Sequence, residues 1–177
     1  MIRALALSLI ATTAFAQEFK PAPQIADHVK AMAGTWKCTG TSIGMDGKDV
    51  PYTGSYSTKS DLDGFWTHES FVGTAGTGKT SFTYKFESYA TYDEASKKWR
   101  HILIDSYGGQ AIGTSDAEKD GKSETLYEVL EGPGKAQMKH VVDASDLKKG
   151  VHMSGTMSKD SGKTWMKIFD LTCTAKR

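Results

Sequence analysis

Polar and apolar residues alternate along most of the chain from Thr35 onward, and glycines, aspartates and paired lysines break the alternation at short intervals. A period of two in runs rich in aromatic and β-branched side chains predicts half-buried β-strands. Ten such runs stand out, over 34–43, 52–62, 65–73, 80–92, 98–107, 110–118, 122–131, 136–144, 150–158 and 163–175. Most links between them are short, as at Asp63-Gly64, Gly108-Gly109 and Asp120-Gly121. Short links join antiparallel neighbours, because a parallel crossover takes roughly a dozen residues or more. Ahead of the strands, Ile25, Val29 and Met32 recur at helical spacing and Gly34 supplies a stop, so a short amphipathic helix is predicted over 25–33. The preceding segment 17–24, with Pro21 and Pro23, reads as a loose leader. The expected fold class is all-β: an antiparallel up-and-down β-barrel of about ten strands with a short N-terminal helix. A two-sheet sandwich is the alternative.

The N-terminus adds a compartment. Arg3 is the one charge before Glu18, an apolar run extends from Ala4 to Ile10, and Ala14-Phe15-Ala16 offers small residues for signal peptidase. This order predicts a signal peptide over 1–16 with cleavage before Gln17, hence a periplasmic or secreted chain. The apolar stretch is too short for a mature membrane span, and no cysteine sits near the cut to carry a lipid, so no stable membrane anchor is expected. In the mature chain a leader and helix over 17–33 precede a single barrel domain over 34–177. The 22 basic and 21 acidic side chains nearly cancel, and losing Arg3 would make them equal. No basic face dominates, which argues against nucleic acid as a partner. Oligomeric state is not readable. Cys38 and Cys173, near opposite ends of an exported chain, are expected to pair; two distant cysteines are too few soft ligands for a metal. Such a bridge makes the first and last strands neighbours, which is the geometry of a closed barrel.

Gly34-Thr35-Trp36, following the short helix and opening the first strand, resembles the first motif of lipocalins and the wider calycin group. The resemblance implies a lipocalin-like barrel whose tryptophan closes the base beneath the helix. A closer likeness is to exported bacterial proteins of the domain of unknown function 1579 family. It is carried by Leu62-Asp63-Gly64-Phe65-Trp66, Ala90-Thr91-Tyr92-Asp93 and Lys97-Lys98-Trp99, and spans about half of the mature chain. That family has no assigned activity, so it implies a fold and no chemistry. The haem-binding nitrobindins share this fold and open on G-x-W-x-G-x-G. Here Cys38 replaces the middle glycine, Gly40 fits the third, and the run 163–175 holds no histidine. Without that axial ligand, haem is not expected, and no cofactor is assigned.

Several short motifs imitate other chemistries. Gly73-Thr74-Ala75-Gly76-Thr77-Gly78-Lys79-Thr80 satisfies the P-loop pattern, but Ser81-Phe82-Thr83-Tyr84-Lys85-Phe86 continues as a strand where a phosphate-binding helix is required. It is read as a hairpin loop. Ser158 through Trp165 matches the Asp-box S-x-D-x-G-x-T-W, a hairpin turn rather than a catalytic element. Asp116 to Gly121 begins like a calcium-binding loop, yet Tyr127 stands where a bidentate glutamate is needed. The histidines at 28, 68, 101, 140 and 152 show no metal spacing, and no G-x-S-x-G nucleophile motif occurs.

The aromatic residues are the remaining candidate site. Trp36, Trp66, Trp99 and Trp165, with Phe82, Tyr84, Phe86 and Tyr107, can line a ligand pocket or simply fill the barrel. Met138 and His140 share a face with Val142 and join the candidate ligand-binding set, as does His101. Three functions stay open: a module binding a small apolar or amphipathic ligand, a structural or interaction barrel with a filled core, or an enzyme using His101, His140 and Asp105 as acid–base groups. No catalytic residue is assigned.

Overall fold

The computed structural model describes residues 20–130 and 136–176. The expected signal peptide lies outside the described residues. One helix, α1 (Pro23–Met32), precedes ten strands: β1 (Gly34–Ile43), β2 (Asp49–Asp61), β3 (Trp66–Ala75), β4 (Phe82–Asp93), β5 (Lys98–Asp105), β6 (Gln110–Asp116), β7 (Lys122–Val129), β8 (Gln137–Asp143), β9 (Val151–Ser158) and β10 (Met166–Ala175). Every strand pairs antiparallel with its sequence neighbour, and β1 pairs with β10, closing the barrel. The sandwich alternative is thereby set aside. Cys38 stands directly opposite Cys173 in the β1–β10 register, and the two form a disulfide.

Some boundaries differ from the periodicity for physical reasons. The helix starts at Pro23, not after it, because a fixed φ suits the first helical turn, where no amide partner is needed. Strand β2 begins at Asp49 and runs through Pro51. The Pro51 carbonyl accepts from the Gly76 amide at 2.8 Å, just beyond the Tyr52–Ala75 pair that ends the β2–β3 ladder, so the missing proline N–H costs no registered bond. Strand β10 begins at Met166 because Asp160 gathers the turn before it: its Oδ1 accepts from the amides of Lys163 and Thr164 at 3.1 and 2.8 Å. Trp165 Nε1 donates to the Gly162 carbonyl at 3.1 Å, so the Asp-box is a hairpin turn.

The P-loop look-alike is also a hairpin. Strand β3 ends at Ala75, a single 3₁₀ turn covers Gly78–Thr80, and β4 comes next. With no helix N-terminus to hold phosphates, Lys79→Ala is expected to change stability by less than about 0.5 kcal/mol. Calorimetric titration of ATP should give no saturable heat in either protein; binding lost in the variant would contradict this.

Alternation sets which face looks inward. Phe82, Tyr84, Phe86, Ser88 and Ala90 of β4 turn to the lumen, as do Thr67, Glu69 and Phe71 of β3. The run Thr67-His68-Glu69-Ser70, polar on both faces, resolves the same way: His68 and Ser70 lie outside, where His68 meets Glu87 at 2.6 Å and Ser70 meets Ser57 at 2.8 Å. Large inward rings rest on glycines of neighbouring strands. A Cβ on Gly155 would lie 2.3 Å from the Phe169 ring, and one on Gly113 would lie 2.6 Å from Tyr127. These positions need the absence of a side chain because a ring occupies its place.

Helix α1 plugs one end of the barrel, packing on β2, β3 and β4. Beneath it, Ile25 and Ala22 form an apolar cluster with Ala90, Tyr92 and Trp99. Trp36 Nε1 donates to the Met32 carbonyl at 2.9 Å, which ties the first strand to the last turn of the helix. This is the closure of the barrel base that the G-x-W resemblance implies.

Candidate functional site

Above the plugged base the barrel encloses a cavity of about 280 Å³. It begins near the hairpin end, where Ser42, Phe82 and Asp105 stand on its wall, and descends to Glu69, Ser88 and His140. The walls are mostly apolar. Phe71 stacks on Phe86 at 5.6 Å between centroids, Tyr52 meets Phe71 edge-on at 5.5 Å, and Met138, Met153 and Met157 complete the opposite side. A concave, aromatic-lined space with a few convergent polar groups is the usual form of a small-molecule site.

Of the candidate ligand-binding residues, Phe82, Tyr84, Phe86, Met138 and His140 are brought together on this wall. The others are not. Trp36 and Trp99 are 5% and 8% exposed and serve the packing under α1 rather than the cavity. Trp66 alternates with inward Thr67 and so faces outward, in a surface groove with Arg100, Ile102 and Ile112. Tyr107 lies on the exposed β5–β6 hairpin, 66% exposed, with its ring stacked on Tyr84 at 6.2 Å and its hydroxyl donating to the Thr83 carbonyl. His101 is largely buried but is not on the cavity wall; it hydrogen-bonds Ser115 Oγ at 3.0 Å. Glu69, Tyr56 and Tyr127 are the important additions. Glu69 sits between the polar His68 and Ser70, so alternation alone carries no sign that it faces inward, and Tyr127 follows an apolar Leu126 that turns outward.

Glu69 is the electrostatic centre of the lumen. Its Oε1 lies 3.4 Å from Nε2 of His28, which reaches in from the plug helix. Burial pushes the Glu69 carboxyl up. The hydrogen bond and charge of His28, with smaller effects of His101 and His140, outweigh that and hold it below the ordinary value. For His28, burial opposes protonation, but Glu69, helped by the charge of Glu118, raises its pKa. Both partners therefore favour the ion pair. His140 is lowered by burial against the opposing pull of Glu69. His101 falls to about 4 for the same reason, with the charges of His140 and His28 adding to the effect. At neutral pH the lumen holds an ionised Glu69 and two neutral imidazoles. His140, as a neutral imidazole, can both donate and accept a hydrogen bond at the cavity wall.

Among the described residues, no group of three or more histidines, cysteines or carboxylates is placed to hold a metal ion. The residues do not fit haem either. The inward face of β10 presents Phe169, Leu171 and the bridged Cys173, while the one wall histidine, His140, is packed edge-on against Phe169 at 5.7 Å.

No family model and no curated protein matches this chain. Solved structures do. Rv2717c from M. tuberculosis superposes with a TM-score of 0.65 at 10% identity, covering 89% of this chain and 100% of that one. The S-type phycobiliprotein lyase CPES from Guillardia theta gives a TM-score of 0.58 at 10% identity, over 86% of this chain and 93% of that one. Identity this low transfers the fold alone. The chain shares the fold of these barrels, a closed ten-stranded antiparallel up-and-down β-barrel with a short N-terminal helix. Its likeness to the domain of unknown function 1579 family stays a resemblance of short motifs.

Proposed function

We propose that this barrel is an exported carrier or sensor that holds one small apolar or amphipathic molecule in its lumen. The observation that carries the reading is the cavity itself: about 280 Å³ walled by aromatic and methionine side chains, in a fold where filling by larger residues would be simple. That volume lies just under the roughly 300–1,000 Å³ of drug-sized sites, so a ligand with a single short chain or one or two rings is the right scale. The disulfide supports an oxidising compartment, in line with the signal peptide read from residues 1–16. Among the described residues no helix is long and apolar enough to cross a membrane. One barrel of this fold is a phycobiliprotein lyase, so the architecture can host chemistry, though 10% identity carries none of it here.

The test is occupancy of the lumen. The neutral fluorophore N-phenyl-1-naphthylamine should brighten on binding and saturate at one equivalent. Met138→Trp, which fills the cavity from its own wall, should weaken that binding at least about tenfold while the far-ultraviolet circular dichroism stays unchanged. Equal binding by both proteins, or none by the wild type, would remove the lumen as the site.

A further inference from the structure

The charges facing the cavity limit what can lie in it. Two carboxylates stand on its wall, Glu69 from β3 and Asp105 from β5, and among the described residues neither lysine nor arginine does. Asp105 is fixed near the mouth. Its Oδ1 accepts from the amides of Tyr107 at 2.8 Å and Gly109 at 2.9 Å, and its Oδ2 accepts from the Tyr84 hydroxyl at 3.3 Å. Glu69 is fixed at the floor by His28. That imidazole pairs with Glu69 at 3.4 Å, and at most it neutralises that carboxylate. The wall therefore carries net negative charge whether or not His28 is protonated.

The surfaces between the two carboxylates point the same way. Phe71, Phe86, Tyr52 and Tyr84 present ring faces and edges to the space, and a ring face attracts a cation. Ser88, 1% exposed on the cavity wall, has the Tyr127 hydroxyl near it but no hydrogen bond of good geometry, so a polar ligand atom has somewhere to bind. A bound carboxylate would be desolvated among aromatic rings beside two like charges, with no lysine or arginine among the described wall residues to receive it.

We infer that the lumen selects amphiphiles with an ammonium or similar cationic head, accepts neutral alcohols less well, and rejects carboxylates of the same length. This rests on the lumen being a binding site, and the two can fail separately. The experiment is displacement of N-phenyl-1-naphthylamine at pH 7 by decylamine, decan-1-ol and decanoate, in the wild type, Asp105→Asn and Glu69→Gln. Decylamine should displace the probe at a concentration at least tenfold below that needed for decanoate, with decanol between them. Either variant should shrink that ratio at least threefold, by weakening decylamine and releasing decanoate from repulsion while decanol changes little. Decanoate binding as well as decylamine in the wild type, or equal displacement by all three, overturns the charge inference and leaves the lumen reading standing. A probe that never binds removes the lumen reading and this inference with it.

Discussion

Replacing Cys38 and Cys173 together by alanine is expected to cost about 5 kcal/mol of stability, because the bridge closes a loop with a sequence separation of 135 residues. On the chain-entropy account, the cost of closure grows with the logarithm of loop length, and this loop takes in nearly the whole barrel. For a domain of this size the loss corresponds to a fall in Tm of about 10–20 °C. The barrel should still close at low temperature, since seven residue pairs from Trp36–Ala175 to Ser42–Phe169 hold β1 to β10 without the bridge. Both cysteines are fully buried among Met32, Trp36, Val151 and Leu171, so alanine leaves a small apolar gap rather than an unpaired hydroxyl. Thermal melts of the oxidised protein and the double variant give the difference directly. Thiol labelling of the unreduced, unfolded wild type should modify neither cysteine. A Tm difference below about 4 °C would mean that the native ladder already confines the chain and that loop entropy is not the main term.

The same bridge explains why so much of the fold was legible in the sequence. Alternation located ten strands, short links made them antiparallel, and a cysteine in the first and the last strand supplied the closure that periodicity cannot. Errors fell at strand ends, where local chemistry overrides the period of two. The run read from Tyr52 starts three residues earlier, with Pro51 past the end of the β2–β3 ladder, and Asp160 converts three residues that look like strand into a turn.

The site was less legible, for a reason specific to barrels with polar interiors. In β4 the inward residues Phe82, Tyr84 and Phe86 alternate with Thr83 and Lys85, so their face could be read. In β3, Glu69 is flanked by His68 and Ser70, and nothing local says that the glutamate is the buried member. Its inward position is set by register with β2 and β4, and its charge is tolerated because His28 arrives from a helix some forty residues earlier in the chain. The tryptophans misled in the opposite direction. Trp36 and Trp99 are large and inward, yet α1 uses them as its seat, so their bulk closes the base instead of shaping the cavity.

Acid should destabilise the folded protein well before the surface carboxylates titrate. His101 titrates near 6.5 when unfolded and at about 4 when folded, since burial disfavours its charged form. Between those values the unfolded chain binds the extra proton, so stability is fully present above pH 6.5 and is lost as pH falls toward 4, by about 3 kcal/mol. His140 is shifted in the same direction and adds to the loss. Glu69 is held below its ordinary value, so its contribution is present above about pH 4.5 and disappears as pH drops further. His28 has the opposite sign: raised by Glu69, it stabilises below pH 6.5 and ceases to as pH rises through its folded value. The groups facing one another here are His28 of α1, Tyr56 of β2, Glu69 of β3, His101 of β5, Tyr127 of β7 and His140 of β8, with Glu118 acting on His28 from the β6–β7 link. Maximum stability should therefore lie near pH 6.5–7. Urea midpoints at pH 7, 5.5 and 4 should fall steadily, and His101→Gln, which can still bond Ser115, should flatten the upper part of that slope. A midpoint that does not change from pH 7 to pH 4 would mean that water reaches the lumen histidines in the folded state, and the buried neutral imidazoles would have to be abandoned.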